Sequence, residues 1–153
     1  KKSHHIHYML FPILKKELLD IPFWGWALRL QQPIAIDRSK PREAGKSLLL
    51  QGAARIKDGL SILVFPEGTR ARTGALGKFS RGGAQLAVAT GTPIIPVLHN
   101  AGYCWPAGTT LKKPGCIEVL IGPPIAVDGK TAKEVAAEFD LWMNTNKSAV
   151  GLA

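Results

Sequence analysis

Long apolar runs, paired cysteines and an acidic excess are all missing from this 153-residue sequence, and each absence removes a class of protein. No stretch of 18 apolar residues occurs. The most hydrophobic segment, 21–28, is followed by Arg29, so nothing in the sequence is expected to cross a bilayer and any membrane contact is expected to be peripheral. Cys104 and Cys116 form no Cys-x-x-Cys pair and are expected to be buried thiols in a reducing, cytoplasmic compartment. Residues 1–7 hold two lysines and three histidines, with neither an apolar stretch nor a small-residue cleavage site, which does not fit a signal peptide. Ala44-Gly45-Lys46-Ser47 is no phosphate loop, because position 40, where that loop needs glycine, is lysine. No serine has glycines at Gly-x-Ser-x-Gly spacing, so a serine hydrolase is excluded as well. Repeats, low-complexity tracts and linkers are likewise missing.

What is present suits one globular domain. Hydrophobic residues make up 46% of the chain and charged residues 20%, enough for a single real core and too little for two. Lys and Arg number 20 against 11 Asp and Glu, a formal charge of +9 that favours an anionic partner: nucleic acid, an acidic lipid surface or a phosphorylated substrate. Near an anionic leaflet each Lys or Arg contributes about 1 kcal/mol. A basic but solvated surface explains the charge equally well.

Short apolar runs alternate with longer helical patterns, the signature of an α/β fold. Strands are expected at 33–36, 61–65, 93–98 and 116–121, and their near-continuous apolar character predicts cover on both faces. The pattern predicts a helix over 42–57, with Leu49, Ala53 and Ile56 on one face while Arg42, Lys46 and Arg55 reach solvent. Further helices are expected at 82–90, stopped by Gly91, and at 131–146, started by Thr131, with Val135, Phe139 and Trp142 in the core.

The segment Phe65-Pro66-Glu67-Gly68-Thr69-Arg70 directly follows an expected strand, where ligands of open α/β sheets sit. Pro66 cannot continue a ladder, Gly68 permits a turn with close backbone approach, and Arg70 offers a planar fork suited to phosphate. A structural loop holding a Glu–Arg ion pair fits the same residues. Two more basic clusters, Asp37-Arg38-Ser39-Lys40 and Lys78-Phe79-Ser80-Arg81, follow or flank expected elements, so Arg38, Arg70 and Lys78 could converge on one phosphate beside a helix N-terminus.

Phe-Pro-Glu-Gly-Thr-Arg resembles the third motif of the glycerolipid acyltransferases, specifically the 1-acyl-glycerol-3-phosphate acyltransferase family. Leu14-Lys15-Lys16-Glu17-Leu18-Leu19, Ile21-Pro22-Phe23-Trp24-Gly25-Trp26 and Ile34-Ala35-Ile36-Asp37-Arg38-Ser39 are similar to the stretch through its second motif. Pro93-Ile94-Ile95-Pro96-Val97 is similar to the fourth, and Asn100-Ala101-Gly102 and Ile121-Gly122-Pro123-Pro124-Ile125 continue the likeness. The resemblance implies an α/β domain with a mixed, mostly parallel central sheet flanked by helices. It divides the chain into an unmatched segment 1–9, a partial acyltransferase domain 10–147 and a tail 148–153.

The function so implied is transfer of a fatty acyl group from an acyl-CoA or acyl carrier protein thioester to lysophosphatidate, giving phosphatidate at the cytoplasmic face of the cell membrane. Neither metal nor redox cofactor is implied, and no nucleic acid. Arg38, Glu67, Gly68, Thr69, Arg70 and Lys78 would form the acceptor-phosphate site, Lys78 on charge placement alone, and Pro96 would shape the acyl-donor region. Absent is the family's His-x-x-x-x-Asp: five positions after His4, His5 and His7 stand Met9, Leu10 and Pro12. The motif's usual place would precede Lys1, so a truncated or altered start is expected, with turnover impaired for want of a base. His99 is expected to be a hydrogen-bonded structural histidine.

Two readings from other classes compete. A nucleic-acid-binding module would explain the charge, but Trp24, Trp26, Trp105 and Trp142 are not interleaved with basic residues as a stacking platform requires. A non-catalytic peripheral lipid-binding module would use Trp24 and Trp26, near Lys15, Lys16 and Arg29, in the headgroup region. The simpler alternative packs Phe23, Trp24 and Trp26 in the core or along an acyl groove.

Overall fold

The computed structural model describes residues 10–152 apart from Gln32, Arg38 and Arg70. They group into two compact units, Lys1–Val64 and Phe65–Ala153.

In the first unit, β1 (Leu10–Lys15) is the middle strand of a parallel sheet, with β2 (Ile34–Ile36) on one side and β3 (Ser61–Leu63) on the other. Its first half, Leu10 to Pro12, is in register with Ser61 to Leu63, and its second half, Ile13 to Lys15, with Ile34 to Ile36. The sequence reading missed this strand because Pro12 argues against a central position. Pro12 sits where the pairing passes from one neighbour to the other, so its missing N–H falls at the end of a ladder rather than within one.

Helix α2 (Pro41–Lys57) begins with proline at its first turn, where an N–H would have no partner anyway, and packs against β2 and β3. Its buried line centres on Leu48 and Gly52, beside the expected Leu49, Ala53 and Ile56. Arg42 and Lys46 reach solvent as expected. Arg55 is half-buried: its guanidinium lies 5.2 Å from the centroid of the buried Phe11 ring, a cation–π contact at the edge of the core.

Between β1 and β2 the chain forms a 3-10 turn, Lys16–Asp20, and a short helix, α1 (Trp24–Leu30), neither of which the sequence pattern revealed. A Cβ on Gly25 would stand 2.2 Å from the Leu19 carbonyl oxygen, so only glycine lets the two pieces meet. Arg29 closes the contact by donating to that same carbonyl from Nε and Nη2, at 3.3 and 3.2 Å. Phe23, Trp24 and Trp26 do not pack in a core; all three are exposed.

The second unit is built on an antiparallel pair, β4 (Val97–His99) and β5 (Val119–Ile121), extended by a bridge between Ile94 and Ile125. Helix α3 (Gly82–Thr90) and helix α4 (Ala132–Asn146) pack on each other around Ala84, Ala87, Ile125, Val127 and Val135. The expected ends hold: Gly91 adopts the left-handed conformation that terminates α3, and Thr131 caps α4 in a reciprocal box with Glu134.

Four expectations need correction. Cover on β4 and β5 is one-sided, since Val97, Val119 and Ile121 are exposed while Leu98 is buried, as an antiparallel pair with one packed face requires. The strands are also shorter than their apolar runs. Residues 148–152 are no loose tail: Val150 joins Leu98 and Met143 in a core cluster, and the Tyr103 hydroxyl donates to the Gly151 carbonyl at 2.8 Å. Neither thiol is buried: Cys104 is half-buried and Cys116 exposed.

Candidate acceptor site

The turn after β3 begins at Phe65, whose carbonyl accepts from the Gly68 amide at 3.0 Å. Gly68 has φ of 70°, the left-handed region that a side chain would oppose, so the Glu-Gly step is what lets the chain reverse here. Two contacts then fasten the turn to the segment leading into α3. The Gly77 amide donates to Glu67 Oε2 at 3.0 Å, and the Ser80 amide donates to the Pro66 carbonyl at 2.8 Å.

That segment is anchored from below. Leu76 and Phe79 pack on the cluster of Leu98, Met143 and Val150, and Phe79 meets Phe139 edge to face at 5.2 Å between centroids. Leu76 and Phe79 are held inward, Gly77 lies against the Glu67 carboxylate, and Lys78, the next residue in the chain, is exposed. A Cβ on Gly77 would stand 2.6 Å from Glu67 Oε2, so the absence of a side chain there makes the contact possible. Helix α3 starts two residues after Ser80 with no side-chain cap.

The second unit therefore brings Glu67 against Gly77, with Gly68 and the exposed Thr69 in the same turn and Lys78 following Gly77 in the chain. Arg38 and Arg70 lie outside the described residues. Asp37, before Arg38, is described: its Oδ1 accepts from the Ser39 hydroxyl at 2.6 Å and the Ser39 amide at 2.9 Å, and these bonds hold its carboxyl below the ordinary range. Pro96 is fully buried, its carbonyl accepting from the Gly122 amide at 2.9 Å, so it sets the course of the chain into β4 from inside the unit.

His99 is exposed on β4, and its Nδ1 accepts from the Ala101 amide at 3.3 Å. Sequence reasoning missed Gly77. Its only signal was its place between the apolar Leu76 and the basic Lys78, ten residues beyond Glu67.

The Acyltransferase family model matches residues 2–100. A 1-acyl-sn-glycerol-3-phosphate acyltransferase of Pseudomonas aeruginosa is 51% identical over 127 residues, covering 83% of this chain and 49% of the relative. The protein of that name from Cocos nucifera is 37% identical over 117 residues, 76% of this chain and 38% of the relative. The crystal structure of the 1-acyl-sn-glycerophosphate acyltransferase PlsC from Thermotoga maritima superposes with a TM-score of 0.70 at 27% identity, covering 92% of this chain and 58% of that one. The chain spans about half the length of the curated relatives it matches. The motif order in the sequence, the α/β architecture and these matches agree, and the chain belongs to the acyltransferase family.

Proposed function

We propose that this protein acts in acyl transfer to lysophosphatidate, and that its 153 residues supply the site that holds the acceptor's phosphate. The observation that carries the reading is the clasp between Glu67 and the Gly77 amide, which fixes a Phe-Pro-Glu-Gly-Thr-Arg turn beside Lys78 in a chain 51% identical to a lysophosphatidate-type acyltransferase. With its Oε2 occupied by Gly77, Glu67 acts by holding the loop, while Arg70 and Lys78 of the same unit provide cationic groups for a dianionic phosphate.

In the reaction the acceptor hydroxyl attacks the carbonyl carbon of an acyl-CoA or acyl carrier protein thioester. The hydroxyl proton passes to a base, the C–S bond breaks, and the base returns that same proton to the departing thiolate, which leaves as the thiol. The thioester brings its own leaving group, so the reading calls for no metal and no resident cofactor. No His-x-x-x-x-Asp occurs in the sequence, and a positioned base contributes about 10²- to 10⁴-fold. Acceptor binding without efficient turnover is the expected behaviour of these residues, at the cytoplasmic face of a membrane where the lipid acceptor resides.

Calorimetric titration of short-chain lysophosphatidate, kept below its micelle concentration, tests the proposal. Saturable binding is expected, weakened about tenfold or more in Arg70→Ala, since a hydrogen bond to a charged group contributes about 1.5–3 kcal/mol. Binding that Arg70→Ala leaves unchanged overturns the assignment.

A further inference from the structure

Helix α1 and the turn before it present a row of large apolar side chains to solvent. Phe23 is 77% exposed, Trp24 and Trp26 61% each, and Leu30 86%, with Ile21 and Leu18 also exposed. This surface is held rigidly. Gly25 presses against the Leu19 carbonyl, Arg29 bonds the same carbonyl and pairs with Asp20 at 3.5 Å, and Phe23 and Trp26 meet edge to face at 5.1 Å. Phe23 is moreover the one non-glycine residue with positive φ among those described, at 62°, a conformation a bulky residue adopts only when its surroundings impose it. Exposed aromatics fixed on a braced turn differ from a frayed core: the fold spends backbone strain to hold them outward.

We infer that this row inserts into the headgroup region of an anionic phospholipid bilayer. Tryptophan and phenylalanine are the side chains suited to that boundary, and leucine and isoleucine extend the contact toward the acyl chains. Charge favours a membrane over a second copy of the chain. The Lys1–Val64 unit holds 11 of the 20 Lys and Arg but 5 of the 11 Asp and Glu, so two such units repel each other while an anionic leaflet attracts both. Around the row itself the charges are mixed, Lys16 and Arg29 beside Glu17 and Asp20, so the apolar groups set depth and the chain's net charge of +9 supplies long-range attraction. No described helix is long and apolar enough to cross a membrane, so the contact is a surface one. The inference deepens the reading above and rests on it for the reason to visit a bilayer, since the acceptor is a lipid.

The test measures partitioning onto vesicles of equal phosphatidylcholine and phosphatidylglycerol, with short-chain lysophosphatidate titrated separately in solution. Trp24→Ser/Trp26→Ser is expected to lower vesicle partitioning about tenfold or more and to leave binding of the dissolved acceptor unchanged. Leu30→Ser, a single change at the most exposed position, is expected to lower partitioning about threefold or more with an unaltered thermal transition, which separates the effect from misfolding. In the wild type, a bromine-labelled lipid is expected to quench tryptophan fluorescence, and the double variant is expected to lose most of that quenching. Unchanged partitioning in both variants overturns the inference. So does loss of dissolved-acceptor binding in a folded double variant, which makes the row an acyl groove, and so does a wild-type dimer that the variants abolish without altering partitioning. If the wild type partitions and the variants do not, yet no dissolved acceptor binds, the surface stands and the acyl-transfer reading falls.

Discussion

Glycine carries much of the close packing at the residue scale, and two positions show how. Gly77 leaves room for the Glu67 carboxylate, and Gly122 leaves room for the indole of Trp142: a Cβ at Gly122 would stand 2.4 Å from Trp142 Cζ2 and 2.9 Å from Pro96 Cγ. The outcomes of adding a methyl differ. At Gly77 the obstacle is the far end of a flexible side chain, so Gly77→Ala is expected to swing Glu67 away with little loss of stability but at least threefold weaker lysophosphatidate binding, read by calorimetry. At Gly122 the obstacles are packed rings, and Gly122→Ala is expected to destabilise the protein by about 1–3 kcal/mol, read as a lower midpoint in urea. The glycines are plain in the sequence; which side chain each one admits is not, because the partners lie 10 and 20 residues away.

Among the elements, those with chemical punctuation were legible and those without were not. Helix α4 announces itself by Thr131 and Glu134, whose side chains each satisfy the other's backbone amide. Thr131→Ala is expected to cost about 1 kcal/mol in a thermal or urea transition. The bonds from the Thr131 amide and hydroxyl also hold the Glu134 carboxyl below its ordinary value of 4.5. A carboxyl lowered on folding stabilises the native state fully above its unfolded value, and that contribution is lost as pH falls through the lowered folded value. Between pH 7 and 5 the difference between wild type and Thr131→Ala is therefore expected to be constant, and below about pH 4.5 to shrink; a difference that grows on acidification would contradict the capping box. Helix α1 carries no such signals, since its first residue follows a phenylalanine with positive φ and no side-chain cap, and β1 hides behind Pro12.

For the whole molecule, the proposed membrane contact and the formal charge of +9 set an expected order of partners. The formal charge of +9 alone admits nucleic acid, but the four tryptophans form no stacking platform: Trp24 and Trp26 belong to the exposed row on α1, Trp142 is packed over Gly122, and Trp105 donates its Nε1–H to the Thr109 carbonyl at 2.8 Å with Lys112 against its ring. At about 0.15 M salt the protein is expected to bind phosphatidylglycerol vesicles in preference to duplex DNA, and the DNA binding is expected to fall steeply with salt while a residual vesicle affinity persists, because counterion release governs the first and apolar burial contributes to the second. Parallel sedimentation with the two partners across a salt series reads both.

The sequence by itself determined the α/β class, the spans of α2, α3 and α4, the turn at Glu67-Gly68 and the family, because periodicity, capping residues and motif order are local properties of the chain. Tertiary structure alone decided that Leu10–Lys15 is a middle strand, that Glu67 closes on Gly77, that Arg55 stacks on Phe11 and that Phe23, Trp24 and Trp26 face water. The physical reason is common to all four: each depends on which distant backbone or ring lies within a few ångströms, and a residue's own chemistry does not specify its neighbours across a fold.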